Sequence, residues 1–238
     1  MRSESGKVLV RTEIRIVARA GGSPLIHATG GLAARHTGPA TVHLIGTAAT
    51  PLGGDTLDIG VVVEPGARLV LRSVAATIAL PGLTNPVSTA RWTIDIGAGG
   101  ELDFDPEPTV VAGGADHRSA TIVRMAADAR IRVRERVQIG RSGEDIGFWR
   151  GDLIADLDDL PLIRHRLELG AGTATDDPLA APRAVLSELR YPDDHPVTTL
   201  GTTAAILPLA AGGSLSTWTG DLLGTTQPFD PPAAVTAH

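Results

Sequence analysis

Apolar and polar residues alternate one by one over much of this chain, the period of a strand with one face in a core and the other in water. Val8-Leu9-Val10-Arg11-Thr12-Glu13-Ile14-Arg15-Ile16-Val17 reads as a first strand, and Thr41 to Gly46 and Leu57 to Val63 as two more. A unit of strand, tight small-residue turn and strand then recurs three times. Its copies run from Asp58 through Glu64-Pro65-Gly66-Ala67 to Leu71, from Arg91 through Gly97 to Gly100 to Phe104, and from Ala120 through Ala126-Ala127-Asp128 to Val133. Proline pre-sets its own φ and Gly and Asp tolerate φ > 0, so each turn has the chemistry of a reversal. The spacing of about thirty residues suits stacked β architectures, and an antiparallel meander gives the same pattern.

A fourth reversal fits Trp149 to Ala155, the turn Asp158-Asp159-Leu160-Pro161, and Leu162 to Leu169. After Gly170 the pattern breaks. Gly172 to Pro182 is a loop by composition. Arg183-Ala184-Val185-Leu186-Ser187-Glu188-Leu189-Arg190 reads as a short helix stopped by Pro192, with Val185, Leu186 and Leu189 as an apolar stripe. Thr198 to Leu209 and Gly213 to Leu223 return as strands, and Thr225 to His238 reads as a frayed tail. No segment has a linker's composition, so the expectation is one mainly β domain over 1–238, with stacked antiparallel or β-helical sheets and one or two short helices.

Composition narrows the chemistry. Apolar residues make up 42% of the chain, but only 3 Trp, 1 Tyr and 3 Phe are present, so the core is aliphatic. A net charge of −6 without a long basic run argues against nucleic acid. The absence of cysteine removes disulfides, zinc ribbons and thiol nucleophiles together. No stretch reaches the roughly 20 apolar residues of a membrane span, and residues 1–20 interleave charges where a signal peptide needs a continuous apolar run. A cytoplasmic location with no membrane partner is the resulting expectation. Nucleophile elbows, phosphate loops and His-Glu-x-x-His are absent, and Gly97-Ala98-Gly99-Gly100 lies between strands rather than opening a helix.

Several phrases between Pro51 and Glu144 carry a family likeness. They are Gly53-Gly54-Asp55 before Leu57, Val61 and Val63; Pro65-Gly66-Ala67 and Ala75-Ala76-Thr77; Glu101-Leu102-Asp103-Phe104-Asp105-Pro106-Glu107-Pro108-Thr109-Val110; and Ile139-Gly140-Arg141 with Gly143-Glu144. In order and spacing they resemble the urease accessory protein UreD (UreH) family. The chain departs from that family at Arg72-Ser73-Val74, where a Thr-Thr-Gln is usual, at Ile78, where a lysine is usual, and in the short Gly-Arg to Gly-Glu loop. The resemblance implies a non-enzymatic scaffold. Such a scaffold binds UreF, with the GTPase UreG, and apo-urease, admits a dimer within the accessory complex, and helps nickel reach the urease active site without a tightly bound cofactor.

A transient Ni²⁺ path wants carboxylate or imidazole donors rather than thiolates. Asp55, Glu101, Asp103 and Glu144 lie inside the matched phrases, and Glu101 and Asp103 share one face of a strand. The plainer alternatives are a turn residue for Asp55, a solvated face for Glu101 and Asp103, and a loop salt bridge from Glu144 to Arg141. Among the histidines, His27 near Gly30-Gly31 and the Asp193-Asp194-His195 triplet are the ones placed beside further chemistry. Val185, Leu186 and Leu189 are the candidate partner contacts, with packing against the chain's own sheet as the plainer alternative. The competing function is a β-solenoid or β-sandwich polysaccharide enzyme using Glu101 and Asp103 as a carboxylate pair, against which the few aromatics count.

Overall fold

A computed structural model describes residues 11–173 and 181–224. In chain order its strands are β1 (Arg11–Ala18), β2 (Leu25–Thr29), β3 (Leu32–Gly38), β4 (Thr41–Gly46), β5 (Thr56–Val63), β6 (Arg68–Ser73), β7 (Thr77–Ala79), β8 (Val87–Ile96), β9 (Glu101–Phe104), β10 (Thr109–Val111), β11 (Asp116–Met125), β12 (Arg130–Ile139), β13 (Phe148–Leu157), β14 (Leu160–Leu169), β15 (Ala184–Tyr191), β16 (Thr198–Leu200), β17 (Ala204–Pro208) and β18 (Ser214–Gly220). They form a seven-stranded sheet, β14-β13-β11-β8-β5-β1-β2, and an eleven-stranded sheet with the path β16-β17-β18-β15-β12-β9-β6-β4-β3.

From β4 to β13 the chain passes alternately between the two sheets, and the strands within each sheet pair in parallel. The thirty-residue recurrence is therefore a stack of rungs, and the meander alternative does not hold in this stretch. The turns stack too: Gly97 N donates to Val63 O, Gly66 N to Ala98 O and Ala126 N to Ile96 O. The fourth reversal differs, because β13 and β14 form a hairpin within one sheet.

Inward positions stack into rows. In the smaller sheet Ile16, Val61, Ile94, Val123 and Ala155 are register partners, all buried. In the larger sheet Val42, Leu71, Phe104, Val133 and Leu189 do the same. Burying each large aliphatic side chain contributes roughly 1.5–3 kcal/mol, so these rows are the main force joining the sheets. A second apolar cluster gathers Ala79, Val111, Ala115, Val137, Ile139, Trp149, Leu169 and Val185.

The helix expected at Arg183 to Arg190 is instead strand β15, and no helix occurs among the described residues. The exposed edge of β12 decides this. Residues Ile131 to Gln138 pair with Tyr191 to Ala184 and receive eight rungs of backbone pairing, which outweigh a weak local helix preference. Val185, Leu186 and Leu189 are each 0% exposed, so the stripe offered as a partner surface lies within the fold. Residues 1–10, 174–180 and 225–238, which hold the start of the first expected strand, most of the expected loop and the expected tail, fall outside the described residues.

Candidate functional site

The larger sheet splits at one level in three successive rungs. Residues 47–51 follow β4, Val74 to Ala76 separate β6 from β7, and Asp105 to Pro108 separate β9 from β10. Pro51, Pro106 and Pro108 lie in these breaks, where a residue without N–H cannot extend a ladder. Strand β12 runs through unbroken, with Arg130 to Val133 paired to β9 and Val137 to Ile139 paired to β10. Aligned breaks leave a slit in the wall, and behind it lies a cavity of about 490 Å³ between the sheets. Its walls are largely apolar, including Leu44, Leu57, Ile59, Trp92 and Phe104. The rings of Trp92 and Phe104 meet with centroids 4.6 Å apart.

Glu107, Arg134, Arg136 and Arg141 also line the cavity, and its innermost polar groups are ordered by strand register. His117, Ser119 and Thr121 of β11 alternate inward from the smaller sheet, and Glu135 of β12 faces them from the larger one. Ser119 Oγ donates to Glu135 Oε1 at 2.8 Å, crossing from sheet to sheet. Glu135 keeps some accessible surface only because it lines the cavity, since protein surrounds it. That burial pushes its carboxyl up to about 7, against the lowering effect of the Ser119 hydrogen bond and with a further raise from Asp152. No arginine or lysine among the described residues pairs with it. His117 Nδ1 lies 2.9 Å from Ser88 Oγ, and burial pulls its pKa down to about 4 despite nearby Asp116, so the ring is neutral at neutral pH.

The four carboxylates expected from sequence lie elsewhere, and none lines the cavity. Asp55 is buried in the Gly-Gly-Asp turn, where its Oδ2 accepts from Leu52 N at 2.9 Å and Thr50 Oγ1 at 3.1 Å. A side chain on Gly53 would drive into Asn85 O and Gly82 N of the neighbouring loop, which explains the small residue before it. Glu101 lies 3.9 Å from both Arg68 and Arg130. Asp103 is gripped by Arg72 at 2.6 Å and Arg132 at 3.0 Å; burial opposes its ionisation, but the two guanidinium groups hold its carboxyl below the usual range. Glu144 accepts from Arg141, Gly113 N and Arg141 N, which hold it at about 2. The departure at Arg72 thus builds an ion pair, and Ile78 lines the cavity beside Val74.

Other constellations have structural employment. Asp193 accepts from Ser214 Oγ and lies 2.7 Å from His195 Nδ1. The hydroxyl therefore addresses the carboxylate and not the imidazole, so these three residues do not form a serine–imidazole nucleophile pair. Glu188, 1% exposed, binds Arg134 at 2.6 Å and Arg132 at 3.0 Å, with Arg190 also on it. Among the described residues no three His, Asp or Glu side chains gather into a metal-holding group.

Sequence comparison gives the family. The family model described as UreD urease accessory protein matches residues 24–200. The chain belongs to the UreD family. Among similar proteins, urease accessory protein UreD 1 of Saccharopolyspora erythraea is 40% identical over 190 residues, covering 79% of this chain and 74% of that protein. Urease accessory protein UreD of Frankia alni is 40% identical over 235 residues, covering 87% and 79%. UreD of Streptomyces coelicolor is 36% identical over 228 residues, covering 87% and 89%. The matched stretch contains the whole rung stack, the slit and the cavity. These relatives carry the name of an accessory protein, in keeping with the expectation of a role beside urease rather than a reaction of its own.

Proposed function

We propose that this chain is a cytoplasmic scaffold for urease maturation that engages UreF, with UreG, and apo-urease, and that Ni²⁺ passes through its interior cavity as cargo. The observation that carries the proposal is Glu135: an enclosed carboxylate facing the cavity, with no cationic side chain paired to it among the described residues, while the lining arginines Arg134, Arg136 and Arg141 are bonded to Glu188, Asp105 and Glu144. A divalent ion supplies that missing charge, and one carboxylate backed by hydroxyls holds Ni²⁺ loosely enough to release it. Asp55, Asp103 and Glu144 then serve the frame, each engaged by backbone, hydroxyl or arginine. A polysaccharide-cleaving role draws no support from the geometry, because Asp103 is held ionised by two arginines and Glu101 is flanked by two more.

The test is co-expression of the chain with its cognate UreF, UreG and apo-urease, followed by pull-down and a urease assay with added nickel. The expected result is a complex, with urease activation only when the chain is present. Equal activation without the chain, and no complex, would overturn the proposal.

A further inference from the structure

The Glu135 carboxylate is received by a notch of small residues. On the smaller sheet Ser119 stands in register between Ala90 of β8 and Gly151 of β13. Ser119 holds Oε1, while Oε2 lies 3.1 Å from where a Cβ on Gly151 would stand. The same missing side chain also makes room for Trp149, whose Cζ2 and Cη2 fold over Gly151 far inside the distance a Cβ tolerates. Trp149 is 1% exposed and belongs to the second apolar cluster, so its ring walls that cluster off behind the carboxylate. Packing alone does not account for an indole here. Its Nε1–H is buried with no hydrogen-bond partner among the described residues, a cost that a phenyl ring would avoid.

We propose that Gly151 and Trp149 are positioning residues that seat the Glu135 carboxylate in this notch at the edge of the cavity. The inference rests on the reading in which Glu135 meets Ni²⁺. Gly151 leaves the space into which Oε2 swings, and the indole edge closes that space from behind. A methyl group at 151 displaces the indole first, because Cζ2 and Cη2 are its nearest obstacles, and the displaced ring moves against the carboxylate. Both obstructing atoms belong to the six-membered indole ring that phenylalanine lacks at those positions, so Trp149→Phe relieves the collision.

The experiment measures Ni²⁺ binding to the full-length chain by calorimetry, with thermal melting and UreF pull-down on the same samples. Gly151→Ala is expected to weaken Ni²⁺ binding about tenfold, the scale seen when groups that orient a ligand are removed, while the UreF complex still forms. Adding Trp149→Phe to Gly151→Ala is expected to recover most of that loss. Wild-type affinity in Gly151→Ala overturns the proposal. So does a folded double variant that recovers nothing. If Gly151→Ala does not fold, Ser119→Ala takes its place: it empties the other side of the notch, must also weaken binding, and overturns the proposal if it does not. Glu135→Gln separates the two readings. Unchanged nickel binding there removes the interior path itself, whereas a loss there with none in Gly151→Ala removes only the positioning role.

Discussion

Ser119 and Glu135 join the two sheets through a 2.8 Å hydrogen bond inside the protein, and this bond ends in a carboxylate that burial pushes up to about 7. Between the ordinary carboxylate value and about 7, the folded state keeps a proton that the unfolded state has released. Stability from this group therefore falls as pH rises through that window. Glu135→Gln removes the slope. The variant is expected to match wild type near pH 4 and to exceed it above pH 7 by up to about 3 kcal/mol. Urea unfolding of both proteins at several pH values checks this, and parallel curves would refute it.

His117 predicts the opposite slope. Its folded pKa of about 4 lies below the ordinary value near 6.5, so its contribution is complete above pH 6.5 and is lost as pH falls toward 4. In His117→Gln the stability between pH 6.5 and 4 should decline less steeply than in wild type, as measured by the same unfolding series.

Glu188 is the buried counter-charge for Arg132 and Arg134. Replacing it with alanine leaves guanidinium charge in a buried setting, and breaking such a pair from one side costs about 3–5 kcal/mol. Glu188→Ala should lower the urea midpoint accordingly. A midpoint within experimental error of wild type would show that the network is worth far less.

Truncation after Pro182 removes β15 and with it the partner of β12 along Ile131 to Gln138. The truncated chain is expected to lose cooperative unfolding altogether, because β12 would end as a bare edge with Val137 and Val133 uncovered. A cooperative melt in the truncated chain would show that the rung stack stands alone.

The stack was legible because alternation and turn chemistry are local: Thr41 to Gly46 is a strand in both readings, and the three recurring units became rungs. β15 was not, because its conformation is imposed by the edge of β12, a non-local fact that Ala184-Val185-Leu186 cannot announce. The family phrases pointed to the right protein family but to carboxylates that hold turns and ion pairs. The interior site had its own signal. Arg130 to Ile139 alternates except at Glu135, and the inward parity of Ile131, Val133, Val137 and Ile139 places Glu135 in the core. His117, Ser119 and Thr121 likewise occupy the inward parity of Val123 and Met125. Polar residues on an apolar parity mark a cavity wall when they come from facing strands, and only the fold shows which strands face each other.

The most direct test of the interior route compares urease activation by wild type and Glu135→Gln in the co-expressed accessory complex, at matched complex levels and limiting nickel. An interior route predicts that the Gln variant assembles normally yet activates urease poorly, with partial recovery when nickel is raised. Full activation by Glu135→Gln at limiting nickel would contradict it.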